Sequence, residues 1–256
     1  MRKTRHFESS GSFLVIPSDG DGGRLASSWA IVAALLAYLV FVKVLLSTAP
    51  QVFRSPSQAA VFEWKFLILW AAGALIGVVL CARTGFPSAW PRANGWRSRV
   101  ITPSVLGIAF GILAVTTDAL TGWSKLAAQE MRLPSIHINW PESLLIYPGG
   151  AIIVEVVYRL ATIPLLVWII SNGVLRGRAQ TAVFWSLTVV TSAIEPLGNL
   201  GLAKYGTLVM LPVLVQDYAL NLSQAWIFRR NGFLASIITR VSFYMIWHVA
   251  WGLTGH

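Results

Sequence analysis

The sequence is short of charge. Only 12% of its 256 residues are Asp, Glu, Lys or Arg, about half of the roughly 25% carried by an ordinary soluble domain, and this excludes a water-soluble globular fold. Acids are the scarcer sign: ten Asp and Glu face twenty Lys and Arg, a net charge of +10 with histidine neutral. There is one cysteine, Cys81, inside an apolar run, which excludes a disulfide framework and a cysteine-built zinc site. Repeats and low-complexity stretches are lacking, so neither a solenoid nor a linker-joined second domain is indicated. No serine-hydrolase elbow, HExxH pair or nucleotide-binding glycine loop stands in a suitable context. The basic residues do not form a stripe on a polar domain, so no nucleic-acid partner is expected.

What is present is hydrophobicity, at 55% of residues and a mean hydropathy of +0.65. Residues 1–27 read as a polar, basic tail. Their apolar stretch, Phe13–Pro17, is too short for the core of a cleaved signal, so the tail is expected to stay on the chain. Beyond it, seven apolar runs approach the ~20 residues needed to cross a ~30 Å hydrocarbon core. They span about 28–47, 64–82, 100–119, 143–172, 181–199, 205–228 and 232–254. Runs of that length are helices, because in lipid the backbone must bond within the segment. The expected fold is all-α: a polytopic integral membrane bundle of about seven transmembrane helices, or eight if one is broken. Residues 28–142 form N-terminal helices and loops, and 143–256 a C-terminal helical core.

Charge sets the expected orientation. With the N-terminus inside, the inner segments hold Arg2, Lys3, Arg5, Arg24, Arg83, Arg92, Arg97, Arg99, Arg176, Arg178, Arg229 and Arg230; the outer ones hold Arg54, Lys65, Lys125, Arg132 and Lys204. Twelve against five is the bias of cytoplasmic loops. The expectation is a multi-pass protein of a bacterial inner membrane, with its N-terminus cytoplasmic.

Ionisable groups inside spans cost several kcal/mol and face a partner or a cavity. Six stand out: Glu155, Arg159, Glu195, Asp217, Arg240 and His248. Glu155 and Arg159 are one turn apart on a helical face. Arg240, Tyr244 and His248 form one stripe at four-residue steps. Counting ~1.5 Å of rise per residue from the helix ends sorts them into an outer layer of Glu155, Glu195 and His248 and a deeper layer of Arg159, Asp217 and Arg240. Two carboxylates and an imidazole at one depth can hold a divalent metal such as zinc, or a water for deprotonation. The deeper charges, with Tyr244, would support and orient that site. Alternatively all six are structural pairs, such as Glu155–Arg159 and Asp217–Arg240. The loop 122–142, with Lys125, Glu130, Arg132 and His137, reads as a solvated connector.

One stretch resembles a known family. Val154-Glu155-Val156-Val157-Tyr158-Arg159 is similar to the EExxxR motif of the CPBP (CAAX protease and bacteriocin-processing, or Abi) intramembrane proteases, with Val154 at the first glutamate. Phe228-Arg229-Arg230-Asn231-Gly232-Phe233 looks like that family's basic turn into its last conserved helix. Where the family has a histidine and, four residues on, Asn or Asp, this chain has Arg240 and Tyr244, with His248 a turn later. The middle Phe-xxx-His motif is replaced by Thr191-Ser192-Ala193-Ile194-Glu195. The resemblance covers about residues 143–254. It implies a membrane-embedded hydrolase, a (metallo)protease cleaving a peptide bond of a peptide or protein substrate near the membrane. Glu155 would be its general base and Arg159 the orienter, with Glu195 and His248 holding water or a metal. Two other readings stay open: a non-catalytic scaffold or immunity-type protein of the same fold, and a proton-coupled transporter.

Overall fold

The computed structural model describes residues 22–48, 59–90 and 95–255. Within them the chain is helical, with no strand among the described residues. The helices are α1 (Gly22–Ser47), α2 (Trp64–Arg83), α3 (Arg97–Thr121), the short α4 (Trp123–Glu130), α5 (Ser143–Val174), α6 (Gln180–Leu197), α7 (Thr207–Asn231) and α8 (Phe233–Thr254). A run of 3₁₀ turns, Gly198–Tyr205, joins α6 to α7. Most of the expected 1–27 tail lies outside the described residues, and residues 22–27 belong to α1.

Among the described residues, five helices are long and apolar enough to cross a membrane: α1 from Leu25 onward, α2, α3, α5 and α8. Their outward faces carry large apolar side chains, with Ile68 69% and Val105 61% exposed. Such faces suit lipid. The runs at 181–199 and 205–228 form α6 and α7, but neither has the apolarity of a span. Thr188, Ser192 and Glu195 interrupt α6, and Gln216, Asp217, Asn221 and Gln224 interrupt α7.

The helices run between two ends that contacts define clearly. At one end the Ser27 hydroxyl donates to the Trp90 carbonyl at 3.1 Å, Arg99 Nε to the Ala89 carbonyl at 3.0 Å, and Asn231 to the Ser98 carbonyl at 3.0 Å. Gln180 reaches the Thr84 carbonyl there, and Arg229 the Thr181 hydroxyl at 3.2 Å. At the other end Trp251 Nε1 donates to Asp118 at 2.8 Å, and Lys204 pairs with Glu130. Trp123 stacks on Trp247, centroids 5.1 Å apart.

Small residues set the tightest crossings, as expected where apolar burial gives helices no reason to associate in lipid. A Cβ on Gly107 would lie 2.2 Å from the Thr239 carbonyl oxygen, and one on Gly111 2.5 Å from Ile246 Cβ. These two glycines, one turn apart, let α3 lie against α8. Gly77 brings α2 as close to Leu160 of α5. The result fixes α8 at the centre, between α3, α5 and α7.

Three helices widen locally by π-type turns: α3 at Arg97–Ile101, α5 at Val156–Thr162 and Trp168–Val174, and α8 at Met245–Ala250. Such turns often accompany functional positions; Arg159 lies on the first of those in α5 and His248 on the one in α8.

Candidate functional site

Arg240 is the focus of the charged interior. Its side chain is fully buried, and all three guanidinium nitrogens are engaged. Nε donates to Glu155 Oε1 at 2.8 Å. Nη1 donates to Glu195 Oε1 at 2.9 Å and reaches the Tyr244 hydroxyl at 3.3 Å. Nη2 lies 2.9 Å from Glu195 Oε2, 2.8 Å from Asn221 Oδ1 and 2.9 Å from Gln224 Oε1. The planar fork suits this arrangement, in which one carboxylate is held by two parallel bonds.

Glu155, 1% exposed, is equally occupied. Besides Arg240, its Oε1 has Arg159 Nη1 at 3.4 Å, and its Oε2 accepts the Ser236 hydroxyl. Arg159 turns its other nitrogen to α7, donating from Nη2 to the Asn221 carbonyl at 3.0 Å and to Asn221 Oδ1 at 2.6 Å. Two carboxylates and two guanidiniums therefore meet, and their formal charges cancel. That cancellation lets four ionised groups share a largely apolar interior.

Arg240, expected one layer deeper than Glu155 and Glu195, bonds both directly. Counting rise along the helix locates Cα atoms only, and an extended arginine side chain covers the ~5.4 Å of a further turn. The pair Glu155–Arg159 forms as the spacing suggested. For Asp217–Arg240 the bonds run elsewhere: Asp217 accepts from Asn199 at 2.7 Å, and Arg240 takes the two glutamates instead.

His248 stands apart from the carboxylates in its contacts. Its ring stacks on Tyr147 with centroids 4.2 Å apart and sits edge-on to Tyr244 at 5.0 Å. Its Nδ1 lies 3.2 Å from Nδ1 of His137, so one ring must carry the hydrogen and the other accept. Tyr244 thus links the two regions, touching Arg240 on one side and His248 on the other. Glu195 and His248, offered by the sequence to a divalent ion, have different partners: Arg240 holds the carboxylate, and His137 faces the imidazole. Among the described residues no group of three His, Cys, Asp or Glu side chains is arranged to hold a metal.

Three uncharged residues complete the site, Asn221, Gln224 and Ser236. Helical spacing carries a signal for two of them, since Asn221 follows Asp217 by four residues and Ser236 precedes Arg240 by four. His137, read as part of a solvated connector, is buried and holds His248.

The electrostatics outside the spans concern His137. Burial pushes its pKa down from 6.5 to about 4, with the nearby Asp118 carboxylate opposing that shift. Asp118 itself accepts from the Ser124 backbone N–H and hydroxyl, both at 2.7 Å, and from Trp251.

One further feature borders the network. Gln224 Nε2, Ser192 Oγ, Thr188 Oγ1 and Arg159 Nη1 are buried and find no hydrogen-bond partner among the described residues. Thr188, Ser192 and Glu195 share a face of α6 by their four- and three-residue steps, and the Glu195 side chain is 36% exposed. No protein-family model matches the chain, and neither a curated protein nor a solved structure matches it significantly.

Proposed function

We propose that the chain is a non-catalytic multi-pass membrane protein, a scaffold or immunity-type partner whose C-terminal helices follow the plan of the CPBP intramembrane proteases. Seven helices, α1, α2, α3, α5, α6, α7 and α8, would cross the bilayer, with α6 and α7 shielded by their neighbours. One observation carries the reading: Arg240 occupies both glutamates. A general base needs a free lone pair within reach of the proton it takes. Glu155, the residue the resemblance would make that base, gives its oxygens to Arg240 and Ser236. In the resemblance, Glu195 and Arg240 stand where the family has histidines. Here an acid and a base replace them and neutralise each other, which trades ligands for an ion pair.

A second reading, glutamate-dependent hydrolysis, is favoured by the partly exposed Glu195 side chain and by the unpartnered Ser192 Oγ, Thr188 Oγ1 and Gln224 Nε2. These groups would line a polar approach for a peptide bond. The two readings part in a reconstituted assay. The full chain in phosphatidylcholine vesicles is incubated with a library of membrane-anchored peptides, and products are identified by mass spectrometry. The scaffold reading expects the same product profile from wild type and Glu155→Gln. Cleavage by wild type that Glu155→Gln abolishes, with the variant still folded, would overturn it and establish the hydrolase.

A further inference from the structure

We infer that the end of the bundle bearing Arg83, Arg176, Arg178, Arg229 and Arg230 is a binding surface for anionic phospholipid headgroups. The inference rests on the membrane reading and is independent of whether the core is catalytic. The residues come from three separate stretches that the fold draws together. Arg83 ends α2, and the next residue, Thr84, accepts from Gln180 at the start of α6. Arg176 and Arg178 lie in the turn just before α6, which is tied back by Ser171 donating to the Arg178 carbonyl at 2.8 Å. Arg229 closes the group from α7, donating to Thr181 at 3.2 Å and lying over Phe184 at 4.9 Å and Phe86 at 5.5 Å.

Among the described residues, charge at this end is uncompensated. The seven acids within the described residues all lie elsewhere: Glu155, Glu195 and Asp217 in the interior, and Glu63, Asp118, Glu130 and Glu142 toward the opposite end. Arg83, Arg176, Arg178 and Arg230 are exposed and free to extend toward a ligand. Arg99, by contrast, is buried and spends its guanidinium on the Ala89 and Ser88 carbonyls. Exposed tryptophan stands beside the cluster: Arg230 lies over Trp226 at 5.4 Å, and Arg97 over Trp96 at 5.8 Å. Indole rings prefer the headgroup level, so these pairs set the cluster at the depth of the lipid phosphates. A guanidinium fork matches a phosphate diester geometrically as well as by sign. The occupant is therefore a lipid phosphate rather than a soluble anion.

The test measures lipid selectivity directly. The full chain is reconstituted in phosphatidylcholine bilayers, and spin-labelled phosphatidylglycerol or phosphatidylcholine is added. The motionally restricted fraction gives their relative association constant by electron paramagnetic resonance. Wild type should prefer the anionic lipid about fivefold or more, the factor that one basic residue near an anionic headgroup contributes. The preference should fall toward unity in Arg176→Gln/Arg178→Gln/Arg230→Gln and persist in the corresponding triple lysine variant. It should also weaken with salt. Equal association of the two lipids with wild type would overturn the inference, as would a preference unchanged by the triple glutamine variant. Should that variant fail to fold, salt decides: a preference insensitive to salt overturns it. Loss of the preference on adding micromolar inorganic phosphate would assign the site to a free anion and equally overturn it. Lys125→Gln/Arg132→Gln, at the opposite end, should leave the preference intact; its loss there would show general charge rather than this cluster.

Discussion

Arg240 holds Glu195 by two parallel bonds, Nη1 to Oε1 and Nη2 to Oε2, each 2.9 Å long. The two residues come from different helices, α8 and α6. Either charge alone would stand uncompensated in a largely apolar core. Together they cancel, and with Glu155 and Arg159 the four groups sum to no formal charge. This coupling, more than any single side chain, explains how the bundle tolerates its ionised groups.

The first prediction follows from that balance. Arg240→Leu removes the partner of two carboxylates at once, one of them the buried Glu155, and breaking a buried pair from one side costs about 3–5 kcal/mol. Glu195→Gln should cost less, because the acid is partly exposed and Glu155 still faces Arg240. A double-mutant cycle between Glu195→Gln and Arg240→Gln, measured by unfolding in mixed detergent micelles, should give a coupling energy above ~1 kcal/mol. Strict additivity would show that the pair contributes no mutual stabilisation.

A smaller effect is expected at Ser236, whose hydroxyl donates to Glu155 Oε2. Alanine there leaves a buried charged oxygen without that donor, at a cost of about 1–3 kcal/mol. Threonine, which keeps the hydroxyl, should recover most of it. The readout is the unfolding midpoint of Ser236→Ala against Ser236→Thr, and equal loss in both would assign the effect to packing alone.

The helical framework was legible because lipid imposes a single rule: long apolar runs become helices. Five runs met it fully. The runs at 181–199 and 205–228 were harder because their polar side chains, Thr188, Ser192, Gln216 and Asn221, serve the interior rather than the lipid. The charged residues of the site were equally visible, since ionisable groups in apolar runs announce themselves. What the sequence hid was who meets whom. Asn221 and Gln224 look like ordinary polar residues until two arginines are seen to converge on α7. His137 lies over one hundred residues from His248 in sequence, and no local spacing could join them.

Helix approach gives a third prediction. Gly107→Ala places a methyl against the Thr239 backbone oxygen, at a built distance of 2.2 Å. A backbone atom cannot swing aside as a side chain would, so α3 and α8 must separate. Overpacking of this kind costs about 1–3 kcal/mol. Gly150→Ala, with nothing within 4 Å of the added carbon, should be neutral or slightly stabilising. Thermal midpoints of the two variants in detergent separate the cases, and equal midpoints would remove the argument that Gly107 sets the crossing.

The last prediction concerns pH. His137 sits in the loop before α5, with Asp118, His248 and the Tyr147 hydroxyl region around it. Burial lowers its pKa from 6.5 to about 4 because the charged ring is poorly hydrated there, and the Asp118 carboxylate offsets only part of this. Between those two values the unfolded chain binds the proton more tightly than the folded one. Stability therefore falls as pH drops from about 6.5 to about 4, and this group contributes no slope above or below that window. The full excursion corresponds to roughly 3 kcal/mol. Carboxylates also titrate at the acid end, so the quantity to follow is the difference between wild type and His137→Asn, whose amide can still face His248. Detergent unfolding midpoints across pH 4 to 8 should converge on the acid side and diverge with rising pH, wild type gaining stability relative to the variant until about pH 6.5. Parallel curves would show that folding does not change the proton affinity of His137.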